Sequence, residues 1–346
     1  MPAVPLSAPL GGLPLGERVL RSASHSSYAR VLIWSAFRQS AWDTIARRHE
    51  GMLDVRTIDD AAEWQRHRAA LEPGTFDTCE VPLSREALAS AERALRASII
   101  KPTDGTLARF NRRLSIPISV WLIRRVRLSA NAMSVFVLAL GLYAGWLFSR
   151  GDYASGVAAA AISLGASILD GCDGELARLQ FTQSAVGCWL DTLGDYVYYL
   201  ATFAGLTIGA VRRSGDPAYG WLGAALLVGT VLTFALLILL RHRTTGGHPE
   251  RLNATTRAHF EAGKPWARRA AWLAASATRA VMPYGILAFA LLGLLPVVLV
   301  LATIGAHVYW ISLAVKLPVL LPATARVGAD RSATDPRPAS YPTSMA

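Results

Sequence analysis

Charged residues are scarce in this chain. Asp, Glu, Lys and Arg make up 17% of its 346 residues, where soluble globular domains carry about 25%. With 52% hydrophobic residues and a mean hydropathy of +0.32, an ordinary soluble protein is excluded. Cysteine is nearly absent. The three present, Cys79, Cys172 and Cys188, are scattered and form no CxxC pair, which argues against a disulfide framework and a zinc site. The first residues lack a compact basic-then-apolar start and a cleavage pattern, so no signal peptide is expected. Acids are nearly absent from the long apolar stretches, which makes the few that occur there informative.

What is present divides into two regions. Residues 1–128 carry most of the charge, and 130–321 carry long apolar runs. A helix needs about 20 apolar residues to cross the bilayer core. The apolar part therefore predicts six spans, near 130–149, 154–178, 185–211, 218–240, 279–294 and 296–320, with Pro296 marking the turn into the sixth. The expected fold class is an all-α membrane protein with six transmembrane helices, an amphipathic juxtamembrane helix and a small α/β or helical cytoplasmic N-terminal region. The corresponding boundaries are 1–95 for that region, 96–128 for the juxtamembrane segment, 129–321 for the six-helix domain and 322–346 for a polar tail.

The formal net charge of +11 suggests nucleic acid, anionic lipid or phosphorylated ligands. Six spans disfavour a peripheral nucleic-acid binder, and the distribution of arginine fits the positive-inside rule. One set of connections holds only Arg150, Arg212 and Arg213. The other holds Arg112, Arg113, Arg124, Arg125 and Arg127 before the first span and a long basic loop, 241–279, between the fourth and fifth. The second set is expected to be cytoplasmic, which puts both termini and the connection between spans two and three on that side.

That connection carries the chemistry. Residues 170–195 read DGCDGELARLQFTQSAVGCWLDTLGD. Asp170 and Asp173 are spaced i,i+3, and Asp191 and Asp195 i,i+4, so each pair shares one helix face. An antiparallel hairpin of the two helices brings all four carboxylates together. Their mutual repulsion calls for a cation, and hard ions such as Mg2+ or Mn2+ prefer carboxylate and phosphate oxygens. Small residues at Gly174, Ala177 and Gly187 leave room for a planar base or a sugar, or let membrane helices pack closely.

The segment matches the signature D-x2-D-G-x2-A-R-x8-G-x3-D-x3-D at every fixed position, through Asp170, Asp173, Gly174, Ala177, Arg178, Gly187, Asp191 and Asp195. It thus resembles the CDP-alcohol phosphotransferase family, whose six-span layout is similar over 100–321. The resemblance implies transfer of a phosphoalcohol group from a CDP-alcohol donor to an acceptor hydroxyl, releasing CMP. It implies two metal ions held by Asp170, Asp173 and Asp191 with Asp195 sharing in the site, and Asp195 as general base. Gly174, Ala177, Arg178, Gly187 and Asn131 would meet the CDP moiety; Arg178 has an alternative helix ion pair with Glu175. A homodimer among membrane lipids is also implied.

The lead-in, with KPTDG at 101–105 and NRRLSIPIS at 111–119, resembles that of the di-myo-inositol phosphate phosphate synthases. Lys101, Arg112 and Arg113 would then reach substrate phosphate, or face lipid. Residues from Ile116 to Leu128 alternate apolar and basic as an interfacial helix does, and Ser129 or Asn131 caps the first span. The stretch PLGGLPLGERVLRS at 9–22 resembles sugar-phosphate nucleotidyltransferases, as does 53–71, where Thr57 and Asp60 suggest a capping pair. Without the glycine-rich nucleotide loop, this region is expected to be an inactive relic packed against the membrane part. The residue after the fourth aspartate is Tyr196, where relatives acting on phosphorylated inositol or glycerol commonly place Arg or Lys. A neutral polyol or lipid alcohol is therefore a strong alternative to an inositol phosphate as acceptor. The rival functions are a catalytically inactive membrane scaffold and a divalent-cation transporter.

Overall fold

The computed structural model describes residues 8–25, 30–34, 47, 54–58, 60–70, 84–100, 106–244 and 281–332. The N-terminal part opens with a hairpin of β1 (Pro9–Leu10) and β2 (Leu13–Pro14), followed by α1 (Leu15–His25). The strands β3 (Arg30–Trp34) and β4 (Asp54–Ile58) pair parallel, so among the described residues this region is α/β rather than helical. Helix α2 (Ala61–Ala69) starts at Asp60, whose carboxylate accepts from the amides of Ala62 and Glu63. The expected Thr57–Asp60 capping pair is thereby corrected: Thr57 lies in β4, and Asp60 itself satisfies the first free amides. Helix α3 (Arg85–Ile99) is capped by Ser84.

The helical bundle comprises α4 (Thr106–Arg125), α5 (Ala130–Phe148), α6 (Tyr153–Gln180), α7 (Ala185–Ser214), α8 (Ala218–Thr244), α9 (Met282–Leu291) and α10 (Leu295–Ser332). Helices stand at all six expected positions. Four of them, α5, α6, 218–240 of α8 and 295–315 of α10, are long and apolar enough to cross a bilayer, which makes the chain a multi-pass membrane protein. Helix α7 is long but carries Asp191, Asp195 and three tyrosines in its first half. Helix α9 has ten residues, a rise of about 15 Å, half the hydrocarbon thickness. Gly293, at φ +72, turns the chain after α9, and Pro296 sits in the first turn of α10, where its missing N–H costs no hydrogen bond.

The juxtamembrane helix differs from expectation. It begins at Thr106, ten residues before Ile116, and ends at Arg125. Ile116, Val120 and Ile123 lie on one face at helical spacing and are buried with Met133 and Val137 of α5 and Leu176 and Leu179 of α6. The helix is thus part of the protein core, and only its other face, with Arg124 and Arg125, is exposed. Arg127 takes φ +55 and Ser129 caps α5 by accepting from the Ala132 amide. Of the basic loop expected at 241–279, residues 241–244 belong to the end of α8 and the rest lie outside the described residues, as does Lys101; of the polar tail expected at 322–346, residues 322–332 continue α10 and the rest lie outside the described residues.

Helix α5 packs on both α6 and α7. Its crossing with α7 depends on absent side chains: a Cβ at Gly145 would sit 2.7 Å from the Ala201 carbonyl oxygen, and one at Gly205 would overlap the Gly145 carbonyl oxygen. Backbone meets backbone here, as small residues permit in membrane bundles. Gly205→Leu is expected to lower stability by at least about 1–3 kcal/mol, read as a fall in the thermal midpoint in detergent.

Candidate active site

Helices α6 and α7 form an antiparallel hairpin joined by residues 181–184, so the last turns of α6 face the first turns of α7. The hairpin end is built by local signals. Phe181 adopts a left-handed conformation (φ 56, ψ 39) that stops α6, and Ser184 caps α7 by accepting from the Gly187 amide.

This geometry brings Asp170 and Asp173 of α6 together with Asp191 of α7. One carboxylate oxygen from each lies within 4.8 Å of the others. Asp173 is buried, and the other two are half-buried. Two unit charges at about 4 Å repel by ~4 kcal/mol at an effective dielectric near 20, so the trio is costly without a cation. Asp195 lies one turn beyond Asp191 and outside this group of three. The cleft around the trio is lined by Ser134, Val137 and Leu138 of α5 and by Leu190 and Gly194 of α7.

Two contacts hold Asp173. The Ser134 hydroxyl donates to Asp173 Oδ2 at 2.6 Å, and the Gly174 amide donates to Oδ1, so the buried carboxylate is fixed on both oxygens. Two residues on, Glu175 is fully buried. Its Oε1 accepts from Arg112 Nη1 at 2.8 Å and from the Ser115 hydroxyl, and its Oε2 accepts from the Ser119 hydroxyl at 2.7 Å. Arg112 Nη1 also donates to the Gly171 carbonyl, and a Cβ at Gly171 would stand 2.9 Å from that nitrogen. This replaces the Glu175–Arg178 helix ion pair considered from the sequence, because α4 delivers a better-placed cation and two hydroxyls.

The other expected residues are placed as follows. Arg178 folds back over Gly174, where a Cβ would lie 3.4 Å from its Nη1. The side-chain oxygen of Asn131 stands over Gly187, 3.2 Å from where a Cβ would be. The Ala177 carbonyl accepts from the Thr182 amide, in the turn that ends α6. Arg113 is exposed on α4. Tyr196 stacks on Phe234 of α8 at 4.0 Å between centroids, with Tyr199 close by. Ser134, Ser115 and Ser119 escaped the sequence reading. Their signal was polar residues on otherwise apolar helix faces, Ser115 and Ser119 at i,i+4.

The donor set fits a hard divalent ion. The trio offers only carboxylate oxygens, and the cysteines on these helices turn elsewhere: Cys172 is buried with its thiol directed at the Ser115 carbonyl, and Cys188 is exposed. Mg2+ and Mn2+ take such ligands.

Comparison with known proteins agrees with this geometry. The bifunctional IPC transferase and DIPP synthase of Thermococcus kodakarensis is 33% identical to this chain over 152 residues, 42% of this chain and 32% of that protein. The chain therefore spans about a third of the length of the curated relative it matches. The model of the CDP-alcohol phosphatidyltransferase family matches residues 127–319, from the turn before α5 into α10, with the three clustered aspartates inside. On that match the chain belongs to the CDP-alcohol phosphatidyltransferase family.

Proposed function

We propose that this protein transfers a phosphatidyl or phosphopolyol group from a CDP-alcohol to an alcohol, in the synthesis of a phospholipid or a polyol phosphodiester, using Mg2+ or Mn2+ held by Asp170, Asp173 and Asp191. The observation that carries this reading is the convergence of those three carboxylates from two helices. Bound there as two ions, the metal would neutralise the diphosphate and the departing CMP. Asp195, one turn beyond Asp191, takes the proton of the acceptor hydroxyl as its oxygen attacks the phosphorus that carries the donor alcohol. The bond from that phosphorus to the CMP oxygen breaks. Arg178, Gly174, Ala177, Gly187 and Asn131 bind the CDP moiety, the glycines by leaving space and Arg178 by charge. Of Lys101, Arg112 and Arg113, Arg113 and Lys101 are left to meet lipid phosphate, since Arg112 Nη1 is committed to Glu175.

The acceptor is a neutral polyol or a lipid alcohol. Tyr196 supports this, because an aromatic ring stacked on Phe234 stands where relatives acting on phosphorylated acceptors place a cation. Likeness to the bifunctional IPC transferase and DIPP synthase of Thermococcus kodakarensis, with the lead-in similar to that of the di-myo-inositol phosphate phosphate synthases, supports a polyol phosphodiester as product. The bundle crosses the membrane six times, α9 supplying about half of the fifth crossing, with both termini and the aspartates on the cytoplasmic side, as the arginines before α5 favour. The chain works as a homodimer through its membrane helices, as the family resemblance implies.

The test is CMP release by the purified protein in detergent with Mg2+ or Mn2+, across CDP-diacylglycerol, CDP-inositol and other CDP-alcohols, each with a pool of acceptor alcohols. Release with one donor names that donor. No release from any of them by folded protein counts against the reading. Ser134→Ala removes the hydroxyl that orients Asp173 and is expected to raise the metal concentration for half-maximal rate about 10–100-fold, measured by titrating Mn2+.

A further inference from the structure

The chain before the bundle grips the helix that carries the aspartates. An α-helix leaves its last four carbonyls without helical partners. In α6 these belong to Ala177, Arg178, Leu179 and Gln180. The turn at Phe181 and Thr182 satisfies the first two: the Thr182 amide donates to Ala177 and the Phe181 amide to Arg178. The other two are taken from far away in sequence. Arg18 Nη2 donates to the Leu179 carbonyl at 2.8 Å, and Arg21 Nη1 to the Gln180 carbonyl at 3.0 Å. Both arginines come from α1. All four carbonyls are thereby accounted for, half of them by the N-terminal region.

The grip is built rather than incidental. Arg18 is 5% exposed. Its guanidinium also donates to the carbonyls of Leu10 and Gly11 and lies over the Phe181 ring, 5.4 Å from the centroid. Arg21 is oriented by Glu17 on the same helix, with N–O distances of 3.0 and 2.6 Å. The β1–β2 turn is Gly11–Gly12, with φ +56 and +88. A Cβ on Gly12 would lie 2.8 Å from Ile123 of α4, and one on Gly11 would lie 3.1 Å from Leu179. Leu13 and Ile99 enter the same buried cluster as Leu176 and Leu179. Gln180 in turn donates to the Leu128 carbonyl at the turn before α5.

We propose that Arg18 and Arg21 are positioning residues for the transfer reaction: the hairpin–helix unit 8–25 clamps the end of α6 and so fixes Arg178 for the CDP-alcohol. This rests on the function proposed above. Leu179 directly follows Arg178, and Gly174 and Asp173 lie within two turns of it. Release of the clamp loosens the last turn of α6, and donor binding weakens before the metal trio is lost.

The test uses the full-length chain in detergent, with Arg18→Met, Arg18→Lys, Arg21→Gln and, as control, Arg212→Met, whose guanidinium binds the Ser149 carbonyl at the other end of the hairpin. Hydrogen exchange over 174–182 is expected to quicken about tenfold in Arg18→Met and less in the milder Arg21→Gln, with no change there in the control. The KM for the CDP-alcohol is expected to rise about tenfold in Arg18→Met with a much smaller change in kcat, and Arg18→Lys should fall in between. Arg18→Met added to Arg178→Met should cost little more than Arg178→Met alone. A purely structural role would lower the folded fraction and leave the KM of the remaining protein at its wild-type value; that result, wild-type exchange in both Arg18→Met and Arg21→Gln, or additivity with Arg178 would overturn the proposal. If wild-type protein releases no CMP, the reaction reading fails, and the exchange measurement then decides the clamp alone.

Discussion

Asp191→Asn is expected to reduce CMP release by about 10³-fold or more while leaving the protein as stable as the wild type. The two parts of this expectation come from the same geometry. Asn keeps the size and much of the hydrogen bonding of Asp, so the packing of α7 against α6 is not disturbed. It also removes one of three like charges whose oxygens gather within 4.8 Å, which relieves repulsion in metal-free protein. The thermal midpoint without metal should therefore hold or rise, a case of function maintained at the expense of stability. Activity needs the third carboxylate, because two are left to hold ions that must face a diphosphate. Asp195→Asn should separate from it. As general base outside the trio, Asp195 contributes about 10²–10⁴-fold to the rate, but metal-dependent nucleotide binding should survive its loss. Rates, thermal midpoints and nucleotide affinities of the two variants, measured side by side, check both roles.

Arg112→Met is expected to destabilise the protein by about 3–5 kcal/mol, because it leaves a buried carboxylate without its cation. Glu175 is fully buried, and Arg112 itself is only 17% exposed, so solvent screens the pair little. The two serines would remain, and each hydrogen bond to the charge contributes about 1.5–3 kcal/mol, which does not replace a guanidinium. Glu175→Gln should cost less. It keeps an acceptor oxygen for the hydroxyls and leaves Arg112 free to turn toward its partly open side. The expected order of thermal midpoints is wild type, Glu175→Gln, Arg112→Met. An Arg112→Met protein as stable as the wild type would mean that the pair does not tie α4 to α6.

The gathering of carboxylates was legible because it is local. The spacings of Asp170, Asp173, Asp191 and Asp195 depend only on helix geometry, and the short connection between the two helices forces their ends together. Helix positions were legible for the same reason, since long apolar runs and Ser129 as a cap need no tertiary context. The group of three within 4.8 Å leaves out Asp195, which spacing alone does not foretell. The buried Glu175 was read through its nearest cation in sequence, Arg178, because the docking of α4 is a tertiary fact. So is the length of α4, where burial of Ile116, Val120 and Ile123 on α6 overrides the interfacial pattern of basic and apolar residues. In the N-terminal part, packing against the membrane bundle was expected from a resemblance, but the means was not. Arg18 and Arg21 look like ordinary helix charges until the free carbonyls of α6 are placed beside them.

The most direct test is binding of a cytidine nucleotide to the purified protein, with Mn2+ present and after its removal by chelator, in wild type, Asp170→Asn and Asp191→Asn. The account expects binding that requires the metal in wild type and is lost in both variants, with thermal midpoints preserved. Binding that survives chelation and both substitutions, or no binding by folded wild-type protein at any metal concentration, would contradict it.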